Sequence, residues 1–319
     1  MQTIKLKSIV VLTLAILTSI GAMRVSQVKK LKVGKSPTYA ALSPDGRYLF
    51  VTNFASNEIS VIDTSSNNSQ KRFYGGYEPL GIAVTPAGDK ILVTNRRNGL
   101  VKVIDSQTYE ILDDIKVGGM PSNIAVSPRG SEAFVTNYGR GKIGRIDFID
   151  TASHRHKGQL EIGVRPMAAI VSPLGDQLFA VCGGSNDLYV IDTAGREIIK
   201  KIPVGLAPDS LAISPDHSTL YVANSGKNDI SVIDLLDLVE TKRVRVGEKP
   251  FSLAVDNNGS LFIVETGSNR LSILSPMLEK IASIKVGKRP IDVVLSLDNR
   301  YAYVTAERSN RVFVYEVDY

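Results

Sequence analysis

The stretch Gly34-Lys-Ser-Pro37 opens a unit that occurs seven times in the chain. In this first copy the unit continues through Ser43-Pro-Asp-Gly46, Val51-Thr-Asn53 and Ser60-Val-Ile-Asp63. The glycines that open the other six copies are Gly76, Gly118, Gly163, Gly205, Gly247 and Gly287. Successive glycines are 42, 42, 45, 42, 42 and 40 residues apart. A period near 40 residues with strand-like contents indicates a propeller or another repeat array.

Each unit contains the signals of four short strands. Tyr48–Asn53 is a nearly continuous apolar run, which favours a strand covered on both faces. The Ser-Pro-Asp-Gly sequence before it is typical of a tight turn, because proline presets φ and glycine accepts a positive φ. A third strand follows at 59–63, and a fourth runs into the next Gly-x-x-Pro. Four strands without a helical period predict a four-stranded blade, so we expect an all-β, seven-bladed β-propeller.

The two ends of the repeat region predict how the ring closes. The seventh unit stops at Tyr319, shortly after its third strand, and therefore lacks a fourth. An extra strand at 28–33 precedes the first Gly-x-x-Pro and is similar to the internal fourth strand at 241–246. We expect this N-terminal strand to complete the last blade. Closure of this kind removes an open sheet edge that would otherwise invite aggregation.

The N-terminal segment 1–22 differs from the rest of the chain. Lys5 and Lys7 precede an apolar stretch of 12 residues, from Ile9 to Ile20. This length is typical of a signal peptide and is shorter than the ~20 residues that cross a bilayer. Cleavage after Gly21 is the first interpretation, and retention as an N-terminal anchor is the alternative. Both predict an exported protein, in the periplasm, at the cell surface or secreted, with the propeller at 23–319.

The second strands carry a family resemblance. A short motif in these strands resembles the YVTN family of β-propeller repeats. It reads Val-Thr-Asn at 51–53, 93–95 and 135–137, and Tyr-Val-Ala-Asn at 221–224. The resemblance covers about residues 25–319. It implies a seven-bladed propeller, often in exported or surface-layer proteins, and it implies no particular activity. The positions that depart from asparagine in this motif are Cys182, Glu265 and Ala306.

The distribution of charge predicts a basic face. Because strands alternate in direction, the Gly-x-x-Pro loops share one face, called here the upper face, with the loops between second and third strands. The Pro-Asp-Gly turns lie on the opposite, lower face. The upper loops contain 13 basic and 7 acidic residues, in a chain of net charge +6. The alternative interpretation is an ordinary solvated surface, in which the turn aspartates are structural.

We expect the basic upper rim to bind an anionic partner. Arginine suits carboxylates and phosphates because its planar fork donates two parallel hydrogen bonds. The partner classes that fit are an acidic protein, an envelope glycan and single-stranded nucleic acid. The predicted partner-binding residues are Arg96, Arg97, Arg140, Lys142, Arg165, Lys288, Arg289, Arg308 and Arg311.

Catalytic motifs are missing from the sequence. It has no Cys-x-x-Cys-His motif for haem and no Gly-x-Ser-x-Gly nucleophile elbow. The three histidines, His154, His156 and His217, are predicted in exposed polar loops of the lower face. Cys182 stands in an apolar run and is predicted to be a buried small hydrophobe. We therefore predict no catalytic residue, no metal ligand and no cofactor, and a monomeric binding or scaffold protein.

A propeller hydrolase of lactonase type is the alternative function. It would require a metal at the mouth of the central tunnel, and the acids nearest to that mouth are Asp209, Glu265 and Asp292. They come from different blades. The residues predicted to line the tunnel stand two places after each anchor proline: Tyr39, Gly81, Asn123, Ala168, Ser210, Ser252 and Asp292.

Overall fold

The computed structural model describes residues 23–139 and 143–319, which form seven four-stranded antiparallel sheets. The segment 1–22 lies outside these residues, so the leader or anchor stays a prediction. In chain order, the first strands are β1 (Arg24–Lys32), β2 (Pro37–Leu42), β3 (Tyr48–Asn53), β4 (Glu58–Asp63), β5 (Asn68–Tyr74), β6 (Pro79–Val84), β7 (Lys90–Asn95), β8 (Leu100–Asp105), β9 (Ile111–Lys116), β10 (Pro121–Val126), β11 (Glu132–Asn137), β12 (Arg145–Asp150) and β13 (Arg155–Glu161). The remaining strands are β14 (Pro166–Val171), β15 (Gln177–Cys182), β16 (Asp187–Asp192), β17 (Glu197–Pro203), β18 (Pro208–Ile213), β19 (Thr219–Asn224), β20 (Asp229–Asp234), β21 (Val239–Arg245), β22 (Pro250–Val255), β23 (Leu261–Glu265), β24 (Arg270–Leu274), β25 (Lys280–Lys285), β26 (Pro290–Leu295), β27 (Tyr301–Ala306) and β28 (Arg311–Asp318).

The seven sheets are the predicted blades. Blades 1 to 6 are the consecutive groups β2–β5, β6–β9, β10–β13, β14–β17, β18–β21 and β22–β25. The first strand of each blade is the innermost, and each innermost strand contacts the innermost strand of the next blade around the ring. Within residues 23–139 and 143–319, one 3₁₀ turn, Glu307–Ser309, accompanies the strands. No helix in the described residues has the length and apolar character needed to cross a membrane.

The predicted closure of the ring is confirmed. Blade 7 has the strand order β1-β28-β27-β26, so the N-terminal strand supplies its outer strand. β1 pairs antiparallel with β28, from Arg24 opposite Asp318 to Lys32 opposite Arg311. Leu31 and Val33 are both buried, in a cluster that also contains residues of blade 1. The strand is longer than the prediction, because pairing begins at Arg24.

The apolar core lies between the blades. It consists of seven hydrophobic clusters, and each combines residues of two neighbouring blades. The second strands supply most of the fully buried residues; in β3, for example, every residue after Tyr48 is buried. This burial explains why the second strands are continuous apolar runs, since both faces of each blade are covered.

Threonine side chains of the second strands link successive blades. The Oγ1 atom of Thr52 donates to the backbone oxygen of Leu80 in the next blade, at 2.8 Å. Thr94 makes the same bond to Ser122 O at 2.9 Å. At the ring closure, Thr305 donates to Thr38 O at 2.6 Å. The threonine of the Val-Thr-Asn motif therefore satisfies a buried carbonyl of the neighbouring blade.

The asparagine of the same motif packs against the glycine of the Gly-x-x-Pro loop. A Cβ atom at Gly34 would lie only 2.6 Å from Cγ of Asn53, so a larger residue does not fit there. In blade 6 Glu265 occupies the asparagine position, is 1% exposed, and accepts a hydrogen bond from the backbone N–H of Gly247 at 3.0 Å. The glycine and the polar residue are thus two halves of one packing arrangement.

Candidate functional site

The upper face has a large cavity at the mouth of the ring. It consists of two connected lobes with volumes of about 630 Å³ and about 900 Å³. The residues that line both lobes, and so form their shared wall, are Arg165, Met167, Phe251, Arg289 and Ile291. We call the lobe toward blades 1 to 3 the apolar lobe and the lobe toward blades 5 to 7 the cationic lobe. Volumes in this range are typical of small-molecule sites.

The residue before the anchor proline presents its side chain at this mouth. In most blades this residue is left-handed, with φ of 55° at Arg165, 51° at Lys249 and 52° at Arg289. Such a conformation costs a non-glycine residue about 1 kcal/mol and must be held by other contacts. Ser36 and Ala207 have the same conformation, so it belongs to the scaffold rather than to the basic residues.

Asparagines of the preceding blade hold these loops in place. Oδ1 of Asn228 accepts the backbone N–H of Lys249 at 2.8 Å, and Oδ1 of Asn269 accepts that of Arg289 at 2.7 Å. The carbonyl of Arg289 accepts the N–H of Glu307 at 2.9 Å. Because both sides of the peptide are fixed, the lysine and the arginine leave the backbone at a defined point.

The cationic lobe collects basic residues from three blades. The basic side chains that line it are Arg165, Lys249, Lys288, Arg289 and Arg308. Asp209 is the acidic residue of the lining. Nε of Arg289 lies 2.9 Å from Oε2 of Glu307, so this guanidinium is partly neutralised. Among the described residues, Arg165 makes no ion pair, and it therefore offers its donors to the cavity.

The apolar lobe is lined by aromatic and aliphatic side chains. Its aromatic residues are Tyr39, Phe54, Tyr138 and Phe251. Its aliphatic residues are Leu80, Met120, Val164, Met167 and Ile291. The hydroxyl of Tyr138 donates to Sδ of Met167 at 2.9 Å, and burial raises the pKa of Tyr138. Arg96 lies over the Tyr138 ring, 5.5 Å from its centroid, in a cation–π contact.

The structure brings together part of the predicted basic set. Arg96, Arg165 and Arg289 line the apolar lobe, while Lys288 and Arg308 line the cationic lobe. Arg97 and Arg311 are exposed and line neither lobe. Arg140 and Lys142 lie outside the described residues. Partner binding by this set stays a prediction.

The sequence interpretation missed the apolar half of the cavity. It placed Tyr39 at the tunnel, but it did not predict Phe251 or the aliphatic residues of the lobe. It also left Lys249 out of the predicted partner-binding set. The signal that could have found Lys249 and Phe251 is their position directly before and directly after the anchor proline Pro250. Those places are aligned across the seven blades and therefore meet at the mouth.

Asp209 is a buried acid at the edge of the cationic lobe. It is 8% exposed, and this burial raises its pKa from 3.8 to about 6. The hydroxyl of Ser225 and the charge of Arg165 act in the opposite direction, but burial dominates. The Asp209 carboxyl therefore changes charge near neutral pH, inside a cavity that is otherwise cationic.

The residues predicted to line the tunnel include several that link neighbouring blades. Among the residues two places after the anchor proline, only Tyr39 lines the cavity. Several of the others bond between blades: Asn123 accepts from Ala169 N at 3.2 Å, and Ser210 accepts from Leu253 N at 3.2 Å. Their side chains turn along the wall to the neighbouring inner strand. They therefore hold the ring together.

Two of the three acids named for the hydrolase alternative, Asp292 and Glu265, have structural partners. Oδ2 of Asp292 accepts Ala40 N–H at 3.0 Å, and its Oδ1 accepts the Ser252 hydroxyl at 2.7 Å, which links blade 7 to blades 1 and 6. Glu265 accepts from Gly247 N–H and from the Ser268 hydroxyl. In the part of the chain that the structure describes, no three histidine, cysteine or acidic side chains converge as metal ligands. The donor set therefore does not fit a metal at the mouth.

The prediction of exposed loops holds in part for the histidines, because His156 is exposed but lies on a strand and His154 lies in a turn but is half-buried. His156 is on β13, and its Nε2 is 2.9 Å from Oδ1 of the fully buried Asp147. Nδ1 of His154 lies 3.4 Å from Oδ2 of Asp113. Asp147 also accepts from Nδ2 of Asn137, so the pair of Asp147 and His156 belongs to the packing of blade 3. The exposed turn at His217 agrees with the prediction.

Cys182 is fully buried, as predicted. Burial raises the pKa of its thiol to about 12, so the nucleophilic thiolate is not formed at neutral pH.

Comparisons with known proteins agree with this architecture. Residues 169–308 match the family model described as the SMP-30/Gluconolactonase/LRE-like region, which is less than half of the chain. No curated protein matches the sequence. A solved structure from Kuenenia stuttgartiensis, hydrazine synthase, superposes with a TM-score of 0.78 at 24% identity, covering 89% of this chain and 96% of that one. At this identity the likeness shows the fold alone, and the YVTN label stays a prediction. The chain is thus a β-propeller protein in which residues 169–308 are similar to the SMP-30/gluconolactonase-like region.

Proposed function

We propose that this chain is an exported, non-catalytic binding protein that captures an anionic partner at the mouth of its upper face. The observation that carries the proposal is the convergence of Arg165, Arg289 and Lys249 on one cavity, each from a different blade. Six basic side chains line the two lobes, counting Arg96, against two acidic ones, Asp209 and Glu307. An excess of positive charge around a concave surface attracts anions and raises their association rate.

The non-catalytic part of the proposal rests on the acids. Asp292 and Glu265 are committed to hydrogen bonds that join blades or fix a loop. Asp209 is the one acid with a raised pKa in the cavity wall, and it faces arginine and lysine rather than a second carboxylate or a histidine. A general acid and base pair, or a metal cage, would need such a partner.

A lactonase-type hydrolase is the second candidate, because residues 169–308 match the gluconolactonase-like region. It predicts stoichiometric bound metal in the purified protein and turnover of simple lactones. Elemental analysis and a lactone hydrolysis assay check these two expectations. Metal at one equivalent per chain, together with turnover lost in Asp209→Asn, would overturn the non-catalytic proposal.

The direction of β1 bears on how the cavity would be presented. β1 runs from the lower face, where Arg24 pairs with Asp318, to the upper face, where Lys32 pairs with Arg311. The segment 1–22 therefore joins the propeller on the lower side. If this segment is retained as an anchor, the basic mouth is directed away from the membrane and toward partners in the surrounding compartment.

Binding of defined polyanions to the full chain tests the proposal. We would measure fluorescence anisotropy with labelled heparin, poly-glutamate and a single-stranded oligonucleotide, from about 50 mM to about 300 mM salt. We expect at least one of them to bind, with an affinity that falls as salt rises. Replacing either Arg165 or Arg289 by alanine should lower the affinity about tenfold, since a hydrogen bond to a charged group contributes roughly 1.5–3 kcal/mol.

The matched control is Arg129→Ala. Arg129 is an exposed arginine in a lower-face turn, so its removal changes the net charge equally without altering the mouth. Binding that is unaffected by salt, or that falls equally in Arg129→Ala and Arg165→Ala, would contradict recognition at the upper face.

A further inference from the structure

The two lobes of the upper cavity differ in chemistry. Four aromatic side chains line the apolar lobe together with Arg96, Arg165 and Arg289, whereas the cationic lobe has five basic side chains and a single aromatic residue, Phe251. The lobes are joined along a wall that contains both Phe251 and Arg165. A ligand that fills both lobes therefore needs an apolar body and an acidic group within one small molecule.

We propose that the upper cavity is a binding site for a small aromatic organic anion, with its ring system in the apolar lobe and its acidic group against Arg165. This deepens the proposed function, on which it rests, because it names a ligand class for the same mouth. A ring system of one or two fused rings fits within the lobe, whose volume of about 630 Å³ is larger than the ligand itself.

The apolar lobe suits a ring rather than a chain. Tyr39 and Phe54 come from blade 1, Tyr138 from blade 3 and Phe251 from blade 6, so aromatic faces line the lobe from several sides. Aromatic pairs attract one another beyond the effect of the area they bury, because the edge of one ring is drawn to the face of another. The cation–π contact of Arg96 with Tyr138 places a positive charge at the same edge.

The shared wall suits an anion next to that ring. Arg165 has no ion-pair partner in the described part of the chain, whereas Arg289 is engaged by Glu307. Lys249 and Arg308 line the cationic lobe behind it. Arg165 is exposed, so a ligand can reach its guanidinium, and the planar fork of donors suits an acidic group.

Naphthalene-1-sulfonate is a suitable probe for the full-length protein in isothermal titration calorimetry. Naphthalene-1-sulfonamide has the same shape without the charge, and methanesulfonate has the charge without the ring. We expect naphthalene-1-sulfonate to bind at one site per chain. We expect both comparison compounds to bind at least tenfold more weakly, since each loses one half of the recognition.

Variants assign the binding to the two lobes. Phe251→Ala should lower the affinity for naphthalene-1-sulfonate about tenfold, because apolar contact is lost. Arg165→Ala should lower it by a similar factor, because the charge is lost. Arg129→Ala, on the lower face, serves as the charge-matched control. Circular dichroism melting of each variant verifies that the fold is retained.

The results separate this inference from the proposed function. If polyanions bind at the mouth but naphthalene-1-sulfonate binds no better than methanesulfonate, the small-ligand inference is wrong and the proposed function stands. If naphthalene-1-sulfonate binds and polyanions do not, the site is for small ligands and the macromolecular partner is excluded. Equal binding of the sulfonamide, or equal loss in Arg129→Ala and Arg165→Ala, would also overturn the inference.

Discussion

The exchange Asp292→Asn probes the closure of the ring. Asp292 is 9% exposed and bonds to Ala40 of blade 1 and Ser252 of blade 6. Burial raises its pKa from 3.8 to about 6. The asparagine can keep both contacts, because its oxygen accepts from Ala40 N–H while its amide donates to the Ser252 hydroxyl. The exchange therefore removes a buried charge without removing the link between blades.

The pKa shift fixes the sign and the size of the effect. A pKa higher in the folded than in the unfolded chain means that the folded state binds the proton more tightly. That contribution to stability is complete below about pH 4 and is lost as the pH rises through 6. A shift of this size corresponds to about 3 kcal/mol at 1.36 kcal/mol per pKa unit. At about pH 8 we expect Asp292→Asn to be more stable by up to that amount, or about 5 °C in Tm.

Thermal melting and urea unfolding between about pH 4 and pH 8 measure the effect. The gain should vanish at the acid end, where Asp292 is already protonated. The matched variant is Asn123→Asp, which places an acid at the equivalent link between blades 3 and 4. It should lose stability as the pH rises, by less than Asp292→Asn gains, because Asn123 is only half-buried. A gain that persists unchanged at low pH, or a loss at high pH in Asp292→Asn, would refute the electrostatic reasoning.

Further predictions concern the ring and the cavity. Deletion of residues 24–33 should cost several kcal/mol or prevent folding, because it opens blade 7; unchanged melting would contradict closure. Thr305→Val removes the hydroxyl bond to Thr38 O and should cost about 1–2 kcal/mol in urea unfolding. In titration calorimetry, the affinity for naphthalene-1-sulfonate should fall as the pH rises through about 6, when Asp209 ionises, and Asp209→Asn should remove that dependence. Arg96→Ala should lower the affinity for this ligand more than Arg97→Ala does, since of these two arginines only Arg96 lines the lobe.

The fold could be predicted from the sequence because its determinants are local and repeated. The second strands are covered on both faces, so each becomes a continuous apolar run that is readable without a structure. The closure could be predicted because one fourth strand is missing at the end and one extra strand stands at the beginning. The start of β1 was less predictable. Its register shift at Gln27/Lys29 recurs between the third and fourth strands of other blades, but Arg24 and Val25 pair with the end of β28 beyond the point where the other fourth strands begin.

The candidate site could be predicted only in part. Charged residues of the upper loops were visible, but which of them line the cavity depends on side-chain direction, as the different positions of Arg96 and Arg97 show. The roles of Asp292 and Glu265 were not visible, because their partners lie far away in the sequence. Oδ2 of Asp292 bonds to Ala40, 252 residues away. From the sequence alone, acids near a tunnel mouth suggest a metal site. In this ring, Asp292 and Glu265 instead form hydrogen bonds that hold the structure together.

The way the blades are joined explains why the mouth can be specialised. The links between blades involve the backbone at the anchor loops: Asn269 accepts the N–H of Arg289, and Thr52 donates to the carbonyl of Leu80. A backbone link does not depend on which side chain the residue carries. Alanine at 207 and arginine at 289 consequently occupy the same left-handed position with the same kind of asparagine partner. The scaffold thus leaves the side chains of the upper loops free to vary. Among them, aromatic residues of blades 1, 3 and 6 and basic residues of blades 4, 6 and 7 give the two lobes their different chemistry.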